Sequence, residues 1–309
     1  MINGVINIYK TKGFTSHDVV AKLRGMLKQK KIGHTGTLDP DAIGVLPVCL
    51  GSATKLCDFL TDKEKEYIAG IRLGVVTDTQ DMTGTILETG PVTVTEEQVE
   101  TALQSFLGDY EQLPPMYSAV KVNGKKLYEL ARQGKEVERK ARTVQIHGIE
   151  ILSMELPFLT VKVACSKGTY IRTLCHDLGQ LLGCGAAMDG LERTRSGDFR
   201  VDTAITLEAL QKRIEETGTR PLSEALDGLV WATDSVFAHY PALRLKPEAE
   251  HLAENGNSFL SDNCSQQEAE KAEDGQQYRV YIREKEFVGI YEYRKNEKRF
   301  SPVKMFISK

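Results

Sequence analysis

The densest group of side chains able to do acid–base or nucleophilic chemistry lies at residues 33–47. The segment is Gly-His-Thr-Gly-Thr-Leu-Asp-Pro-Asp-Ala-Ile-Gly-Val-Leu-Pro. Pro40 restricts Asp39 to extended backbone, which holds the carboxylate in a defined direction. The three glycines allow unusual backbone angles or the close approach of a ligand. An isolated Asp-Pro pair is more often a turn that accepts backbone N–H bonds, so Asp39 alone does not separate a catalytic loop from a turn.

Short polar motifs recur at other places along the chain. They are Lys10-Thr11-Lys12-Gly13-Phe14-Thr15-Ser16, Lys65-Glu66-Tyr67, Leu73-Gly74-x-x-Thr77-Asp78-Thr79-x-Asp81, Pro115-Met116-Tyr117-Ser118-Ala119-Val120-Lys121, Cys165-Ser166-Lys167-Gly168-Thr169-Tyr170-Ile171-Arg172-Thr173, and Leu191 with Arg193. Together with residues 33–47 they closely resemble the motifs of the bacterial tRNA pseudouridine 55 synthase (TruB) family. The resemblance covers residues 1–210. Thr11 stands where the family has a proline, which affects the rigidity of a turn and not the chemistry.

The resemblance implies an isomerase that converts the T-loop uridine of tRNA, at position 55, to pseudouridine. The reaction breaks the N1–C1′ bond, turns the base and makes a C5–C1′ bond. Because no redox step is needed, no metal or organic cofactor is implied. The reaction needs a carboxylate that adds to the substrate or stabilises positive charge at the sugar. The base must also leave the RNA stack, which costs roughly a few kcal/mol.

Three residues take catalytic roles by this resemblance. Asp39 is the nucleophile, and the Arg172 guanidinium holds its carboxylate and keeps it ionised. Tyr67 lies against the flipped base and is a candidate for the proton step at C5. Read without the resemblance, Arg172 fits a surface salt bridge and Tyr67 a packed strand tyrosine. Attack of Asp39 on C6 or on C1′, or its assistance of a glycal route, all remain open.

The resemblance also implies residues that bind the substrate. His34 is implied to occupy the space that the flipped base leaves, although a lone histidine is usually structural. Tyr170 and Leu191 are implied to line the pocket around the base; by pattern alone both are core residues. Lys167, from the motif that contains Arg172, is a further candidate.

A basic face is predicted near the N-terminus. A helix from Thr15 or Ser16 to about Lys28 has apolar residues along one side. Lys22, Lys28, Lys30 and Lys31 lie off that side or just beyond the helix. Residues 1–60 carry a net charge of +4 and the remainder of −7. The pattern is compatible with contacts to RNA phosphates, and a solvated surface is the alternative for each lysine.

The order of the predicted elements favours an α+β fold. Strands are predicted at 4–9, 65–73, 143–152 and 159–165, and helices at 94–108, 127–132, 171–182 and 206–214. Residues 32–54, rich in Gly, Thr and Pro, are predicted to form a structured loop that leads into a short segment at 45–50. The resemblance specifies a pseudouridine synthase fold, in which helices flank a mixed, largely antiparallel central sheet.

Two domains are expected. Residues 1–230 would form the catalytic domain, with an insert at about 83–142. Residues 231–309 would form a small β-rich, PUA-like RNA-binding domain, with strands at 278–283, 286–293 and 299–306. This last part resembles the C-terminal PUA domain of the family more loosely than the first part resembles the catalytic domain.

The composition excludes several classes of protein. Apolar residues make up 41% and charged residues 27%, as in ordinary globular proteins. No apolar run approaches the roughly 20 residues of a membrane span, and residues 1–10 lack the pattern of a signal peptide. The six cysteines include no C-x-x-C pair, which argues against structural zinc. We therefore expect a cytoplasmic protein, with a monomer as the default, and the resemblance implies that it acts on tRNA without a protein partner.

Three other functions are compatible with parts of this pattern. A tRNA-folding chaperone of the same fold would be expected to lack Asp39, Tyr67 or Arg172, and all three are present. A hydrolase using Asp39 with His34 would need a metal cluster or an oriented water, and no grouped ligands are apparent. A guide-RNA-dependent pseudouridine synthase is the third. The insert at 83–142 is the bacterial arrangement and favours a stand-alone enzyme that recognises the T-arm by its shape and splayed bases.

Overall fold

The computed structural model of the chain describes residues 1–122, 124–265, 271–283 and 285–307. Its helices are α1 Ser16–Leu27, α2 Cys57–Thr61, α3 Glu96–Gln104, α4 Leu127–Ala131, α5 Ile171–Leu182, α6 Leu207–Thr217, α7 Leu222–Ala225 and α8 Glu250–Glu254. Its first ten strands are β1 Gly4–Lys10, β2 Ile32–His34, β3 Ile43–Leu50, β4 Lys65–Leu73, β5 Val75–Thr77, β6 Ile86–Thr89, β7 Gly108–Gln112, β8 Lys121–Val122, β9 Lys125–Lys126 and β10 Arg142–Glu155. The other ten are β11 Phe158–Cys165, β12 Ala186–Ser196, β13 Phe199–Arg200, β14 Ile205–Thr206, β15 Val230–Trp231, β16 Ala242–Arg244, β17 Phe259–Leu260, β18 Gln277–Ile282, β19 Glu286–Arg294 and β20 Arg299–Met305.

One large sheet organises the first three quarters of the chain. Eight of its eleven strands follow the order β14-β1-β3-β12-β4-β11-β10-β7, and β2, β13 and β15 pair off this path. Only the β1–β14 and β12–β3 pairings are parallel. The structure thus confirms the predicted α+β class and the mixed, largely antiparallel sheet. Strands β3, β12 and β4 lie side by side at its centre, and they carry the loop and the side chains described below.

Helix α1 follows from its sequence almost without tertiary help. The Thr15 side chain accepts a hydrogen bond from the Asp18 amide at 3.1 Å, and the Asp18 carboxylate accepts one from the Thr15 amide at 2.9 Å. This reciprocal capping box satisfies two amides that the first turn leaves unpaired. The apolar side of the helix is buried in the same cluster as Ile6 and Leu46, whereas its basic side faces solvent.

The segment predicted as a loop over residues 32–54 is more regular than expected. Residues 32–34 form β2, which pairs antiparallel with β3, and β3 begins at Ile43 rather than at Val45. The irregular loop is therefore shorter, at 35–42. Periodicity does not reveal β2 because it has only three residues and is defined by its partner. Strand β3 is buried almost throughout, so it lacks the alternation of a half-exposed strand.

Two other boundaries differ from the predicted ones. Helix α3 ends at Gln104, and Gly108, which has φ +86°, begins β7 instead of closing the helix. Strand β10 extends to Glu155 because it pairs on one side with β7 and on the other with β11. In both places, pairing with a neighbouring strand overrides the local pattern.

The last part of the chain forms a second, five-stranded sheet in the order β16-β18-β19-β20-β17. The three longer strands were predicted, whereas β16 and β17 are too short for a sequence pattern. A buried aromatic cluster joins this sheet to the first one. Its buried members include Phe237 from the connecting segment and Phe306, which follows β20, and the partly buried Phe59 of α2 and Phe287 of β19 pack against them. None of the helices built from the described residues is long and apolar enough to cross a membrane.

Candidate active site

Arg172 brings together three segments that are far apart in the sequence. It lies in the first turn of α5 and is 6% exposed. Its Nε is 3.1 Å from Asp39 Oδ2, and its Nη2 is 3.4 Å from Asp39 Oδ1. The same guanidinium donates to the carbonyl oxygens of Thr79 at 3.1 Å and Tyr117 at 2.9 Å. Motifs separated by up to 133 positions therefore meet on one side chain.

A second carboxylate approaches the same guanidinium. Asp81 Oδ2 lies 3.6 Å from Arg172 Nη1. Asp81 is largely buried, and its Oδ1 accepts hydrogen bonds from the Thr79 hydroxyl at 2.8 Å and the Thr83 amide at 3.0 Å. Arg172 thus sits between two carboxylates, of which Asp81 is fixed by its own loop and Asp39 is the more exposed.

The loop holds Asp39 from both sides. The Leu38 amide donates to Ser16 Oγ at 2.9 Å. The Pro40 carbonyl accepts from the Gly13 amide and from Lys10 Nζ, each at 3.0 Å. These anchors act on the residues immediately before and after Asp39. They fix its backbone position without occupying its carboxylate.

Lys10 is the most buried cation of this arrangement. Its side chain is inaccessible to solvent, and Nζ donates to the carbonyl oxygens of Thr11 at 3.2 Å, Phe14 at 2.7 Å and Pro40 at 3.0 Å. Burial lowers the pKa of Lys10 to about 8, although the charge of Asp39 opposes this. The ammonium therefore ties the first motif to the loop of Asp39.

The electrostatics of Asp39 combine opposing influences. Although 42% of its side chain is exposed, loss of hydration raises its pKa above the ordinary aspartate value. Arg172 lowers that pKa, and Asp81 raises it. Arg172 therefore favours the ionised form, but its effect is smaller than that of desolvation. A carboxylate with a raised pKa is more basic and more nucleophilic than a solvated one.

Tyr67 lies on β4, between β11 and β12, and is 9% exposed. Burial raises the pKa of its hydroxyl, and the charge of Asp39 adds to this, while Arg193 on β12 lowers it. The hydroxyl is thus in electrostatic range of Asp39. A packed strand position is compatible with the other prediction for Tyr67, that it lies against the flipped base.

The three predicted pocket residues lie on three different elements, α5, β12 and β2. Tyr170 is the N-cap residue of α5, and its backbone exchanges hydrogen bonds with the Gln112 side chain at 2.7 and 2.9 Å. Leu191 is a half-buried residue of β12 beside the core of the sheet. His34 is half-buried at the end of β2, and burial lowers its pKa, so its imidazole is neutral at pH 7. Its Nδ1 has no hydrogen-bond partner among the described residues.

The predicted lysines all lie at the surface. Lys22, Lys28, Lys30 and Lys31 are exposed and form no ion pair with any residue that the structure describes. Lys22 Nζ lies 5.0 Å from the centre of the Phe14 ring. Lys167 instead pairs with Asp62, at 2.9 Å between Nζ and Oδ2. Binding of a phosphate by Lys167 would therefore require it to exchange partners.

Two family models together match most of the chain. The model of the TruB family pseudouridylate synthase N-terminal domain matches residues 24–171, and that of the tRNA pseudouridylate synthase B C-terminal domain matches residues 172–238. The chain belongs to the TruB family. The tRNA pseudouridine synthase B of Lachnoclostridium phytofermentans is 49% identical over 99% of this chain and all of that protein. That of Alkaliphilus oremlandii is 47% identical over 94% of this chain and 92% of that protein.

Solved structures agree with this membership. A Cbf5–Nop10–Gar1 complex contains a chain that superposes with a TM-score of 0.72 and 29% identity, over 98% of this chain and 85% of that one. An H/ACA ribonucleoprotein bound to a substrate RNA containing 2′-deoxyuridine gives a TM-score of 0.70 and 26% identity, over 99% of this chain and 85% of that one. The TruB fold predicted from the motifs is thereby confirmed.

Sequence reasoning missed three buried polar residues of this TruB site. Lys10, Asp81 and Arg193 all lie inside the quoted motifs, but none was assigned a role. Only their presence in the motifs could have identified them. The periodicity of the sequence does not show that a lysine at the end of a strand, or an arginine within one, is buried. Among the residues described, no group of three or more His, Cys, Asp or Glu side chains is placed to hold a metal ion.

Proposed function

We propose that this TruB-family chain isomerises the uridine at position 55 of the tRNA T-loop to pseudouridine, with Asp39 as the nucleophile. The observation that carries the proposal is the two-point contact of the loop carboxylate with buried Arg172, in electrostatic range of the Tyr67 hydroxyl. The relatives named tRNA pseudouridine synthase B support the choice of tRNA as substrate.

The chemistry divides among these residues. Asp39 adds to the substrate or stabilises the sugar cation while the N1–C1′ bond breaks, and Arg172 orients its carboxylate. The uracil turns, and its C5 bonds to C1′. Tyr67, beside the base, takes part in removing the proton from C5. Neutral His34 occupies the space in the RNA that the flipped base vacates, while Tyr170 and Leu191 enclose the base.

RNA contacts are assigned to two regions. Residues 1–230 act as the catalytic domain, and the exposed lysines after α1 and Lys167 contact phosphates without reading sequence. Residues 231–309 act as a PUA-like RNA-binding domain. We assign the protein to the cytoplasm, where it works as a monomer without a protein or guide-RNA partner. The match to tRNA pseudouridine synthase B over nearly its whole length favours this over a guide-dependent complex.

The test is incubation of the purified protein, alone, with an unmodified tRNA transcript. We expect pseudouridine at the T-loop position and at no other uridine, mapped by chemical labelling and primer extension. A transcript in which that uridine is replaced by cytidine is the control. Modification that depends on an added RNA or protein would contradict the stand-alone proposal, and the absence of pseudouridine under all conditions would contradict the activity.

Replacing Asp81 by asparagine is expected to move the acid limb of the pH–rate profile to lower pH. A carboxylate nucleophile is lost as the pH falls through its pKa, and the charge of Asp81 raises the pKa of Asp39. Removing that charge lowers the pKa, so Asp39 stays ionised in more acidic solution. The rate at neutral pH should fall by about tenfold, because Arg172 loses one of its two carboxylate contacts.

The measurement is the single-turnover rate of pseudouridine formation from pH 4 to 8. Asp78→Asn is the matched control, because Asp78 is an exposed residue of the same loop. If the acid limb of the pH–rate profile stays in place or moves to higher pH in Asp81→Asn, the charge of Asp81 does not raise the pKa of Asp39.

A further inference from the structure

Arg193 is a fully buried cation that no carboxylate among the described residues neutralises. It is 1% exposed and is among the largest fully buried side chains. Its Nε donates to the Val45 carbonyl at 2.7 Å, and it forms no ion pair with any described residue. Its Nη2 also has no hydrogen-bond partner among the described residues. Burial of a charge without a counter-charge lowers the stability of the fold. Such groups are often functional, so we expect Arg193 to stabilise a charge on another group of the site.

The buried side chains of Lys10 and Lys65 add positive charge around Arg193, whereas His34, which is half-buried, is neutral. Burial chiefly lowers the pKa of each, and the charge of Arg193 lowers it further. This region of the protein is therefore built to stabilise a negative charge.

The backbone directs Arg193 towards Tyr67. The two residues are direct partners in the antiparallel pairing of β12 with β4, so their side chains lie on the same face of the sheet. On the other side, Arg193 pairs with Gly44 of β3. A Cβ at Gly44 would lie 2.3 Å from the Arg193 carbonyl oxygen, so only glycine permits this approach. The glycine after the Asp39 loop therefore keeps β12 close to β3.

We propose that Arg193 is a positioning residue that acts through Tyr67, by stabilising the phenolate with which Tyr67 takes the proton from C5 of the turned uracil. The inference rests on the proposed function and specifies the group that makes its proton step possible. The C5–H bond breaks and its electron pair restores the C5=C6 double bond, while the pair of the N1=C6 double bond moves onto N1 and the C5 proton goes to the Tyr67 oxygen. Uracil N1 then takes up a proton as Tyr67 returns to the phenolate, so no proton is gained or lost overall.

The charges around Tyr67 agree with this role. Burial disfavours the phenolate, as do Cys165 on β11 and Asp39 on the loop. Arg193 is the largest influence that favours it. Arg172 on α5 is already engaged by Asp39 and Asp81. Without Arg193, the hydroxyl would be surrounded by groups that keep it protonated.

The test is an isotope effect on the proton step. Single-turnover rates are measured on a T-arm transcript whose target uridine carries hydrogen or deuterium at C5. In Arg193→Met we expect the rate to fall by about 100-fold, as for loss of a general base. We also expect a larger deuterium isotope effect than in wild type and a rate that keeps rising to higher pH. Arg193→Lys, which restores the charge, should recover about tenfold of the rate.

Two controls separate this role from a structural one. Arg195→Met removes a half-buried arginine two residues along β12 and should leave the isotope effect at the wild-type value. A transcript with fluorine at C5 of the target has no proton to lose there. The Arg193→Met variant should therefore join C5 of the fluorinated base to C1′ at the wild-type rate. A misfolded site would not do this.

The outcomes are distinct. A wild-type isotope effect in Arg193→Met, or equal slowing on the fluorinated substrate, would overturn the inference. If Arg193→Met fails to fold, Arg193→Lys carries the test, because its imperfect geometry should still enlarge the isotope effect, and an unchanged value would overturn the inference. Failure of wild type to form pseudouridine would instead overturn the proposed function.

Discussion

Asp39→Asn is expected to lower the rate of pseudouridine formation by at least about 10⁴-fold, because it removes the nucleophile while preserving the shape of the side chain. Affinity for the tRNA transcript should stay within a few-fold of wild type, since the loop anchors at Leu38 and Pro40 do not involve the carboxylate. The measurements are single-turnover rate and the dissociation constant from filter binding.

The same substitution should leave the melting temperature unchanged or slightly raised. Burial raises the pKa of Asp39, which means that the folded protein holds the ionised carboxylate at some expense of stability at neutral pH. A neutral asparagine removes that penalty. Loss of activity together with undiminished stability is the pattern of a functional residue rather than a structural one.

Asp41→Asn is the matched control. Asp41 lies two residues along the same loop, is exposed, and pairs only with Lys12, at 3.7 Å. We expect its rate to stay within about twofold of wild type, since exposed pairs contribute little. Comparable losses in the two variants would refute the assignment of Asp39, because they would show that the rate depends on the net charge of the loop.

Arg172→Met should have the second largest effect and should affect both rate and stability. The buried guanidinium contacts two carboxylates and two backbone carbonyls. Removing it leaves two carboxylates without their counter-charge and two carbonyls without a donor, which should lower the free energy of unfolding by about 3 kcal/mol. The rate should fall by about 10³-fold, since Asp39 loses its orientation as well as its counter-charge.

Arg172→Lys tests the geometric part of this expectation. Lysine keeps the charge but cannot bridge both oxygens of Asp39, so we expect intermediate loss of rate. Arg200→Met, at an exposed arginine paired with Asp202, is the control. Both the rate and a urea unfolding curve are needed. Full activity of Arg172→Met at a temperature where it is folded would contradict the role of Arg172.

Much of the architecture could be predicted from the sequence where local signals are strong. Helix α1 was predicted because a cap at Thr15 or Ser16 precedes an apolar stripe. Strand β1 was predicted from its alternation of apolar and polar residues. Strand β2 escaped because its three residues are defined only by pairing with β3. The end of α3 was misplaced because Gly108, a plausible helix terminator, belongs to a strand.

The residues of the candidate site also fall into two groups, those identified by motifs and those whose role depends on the folded structure. Asp39, Tyr67 and Arg172 came from motifs, and chain order alone could not place them together, since Arg172 reaches Asp39 across 133 positions. Lys10 and Arg193 were passed over because burial of a charged side chain depends on the strands on either side of it. Register and close packing are collective properties, so no single motif encodes them.

The buried ammonium of Lys10 has a thermodynamic consequence. Its side chain, which is inaccessible to solvent, joins the turn at Thr11 and Phe14 to the carbonyl that follows Asp39. The conformational entropy of the catalytic loop is therefore lost when the chain folds rather than when RNA arrives. The free-energy cost of binding then comes chiefly from ordering and unstacking the nucleic acid. The heat-capacity change of binding should therefore reflect changes in the RNA more than changes in this loop.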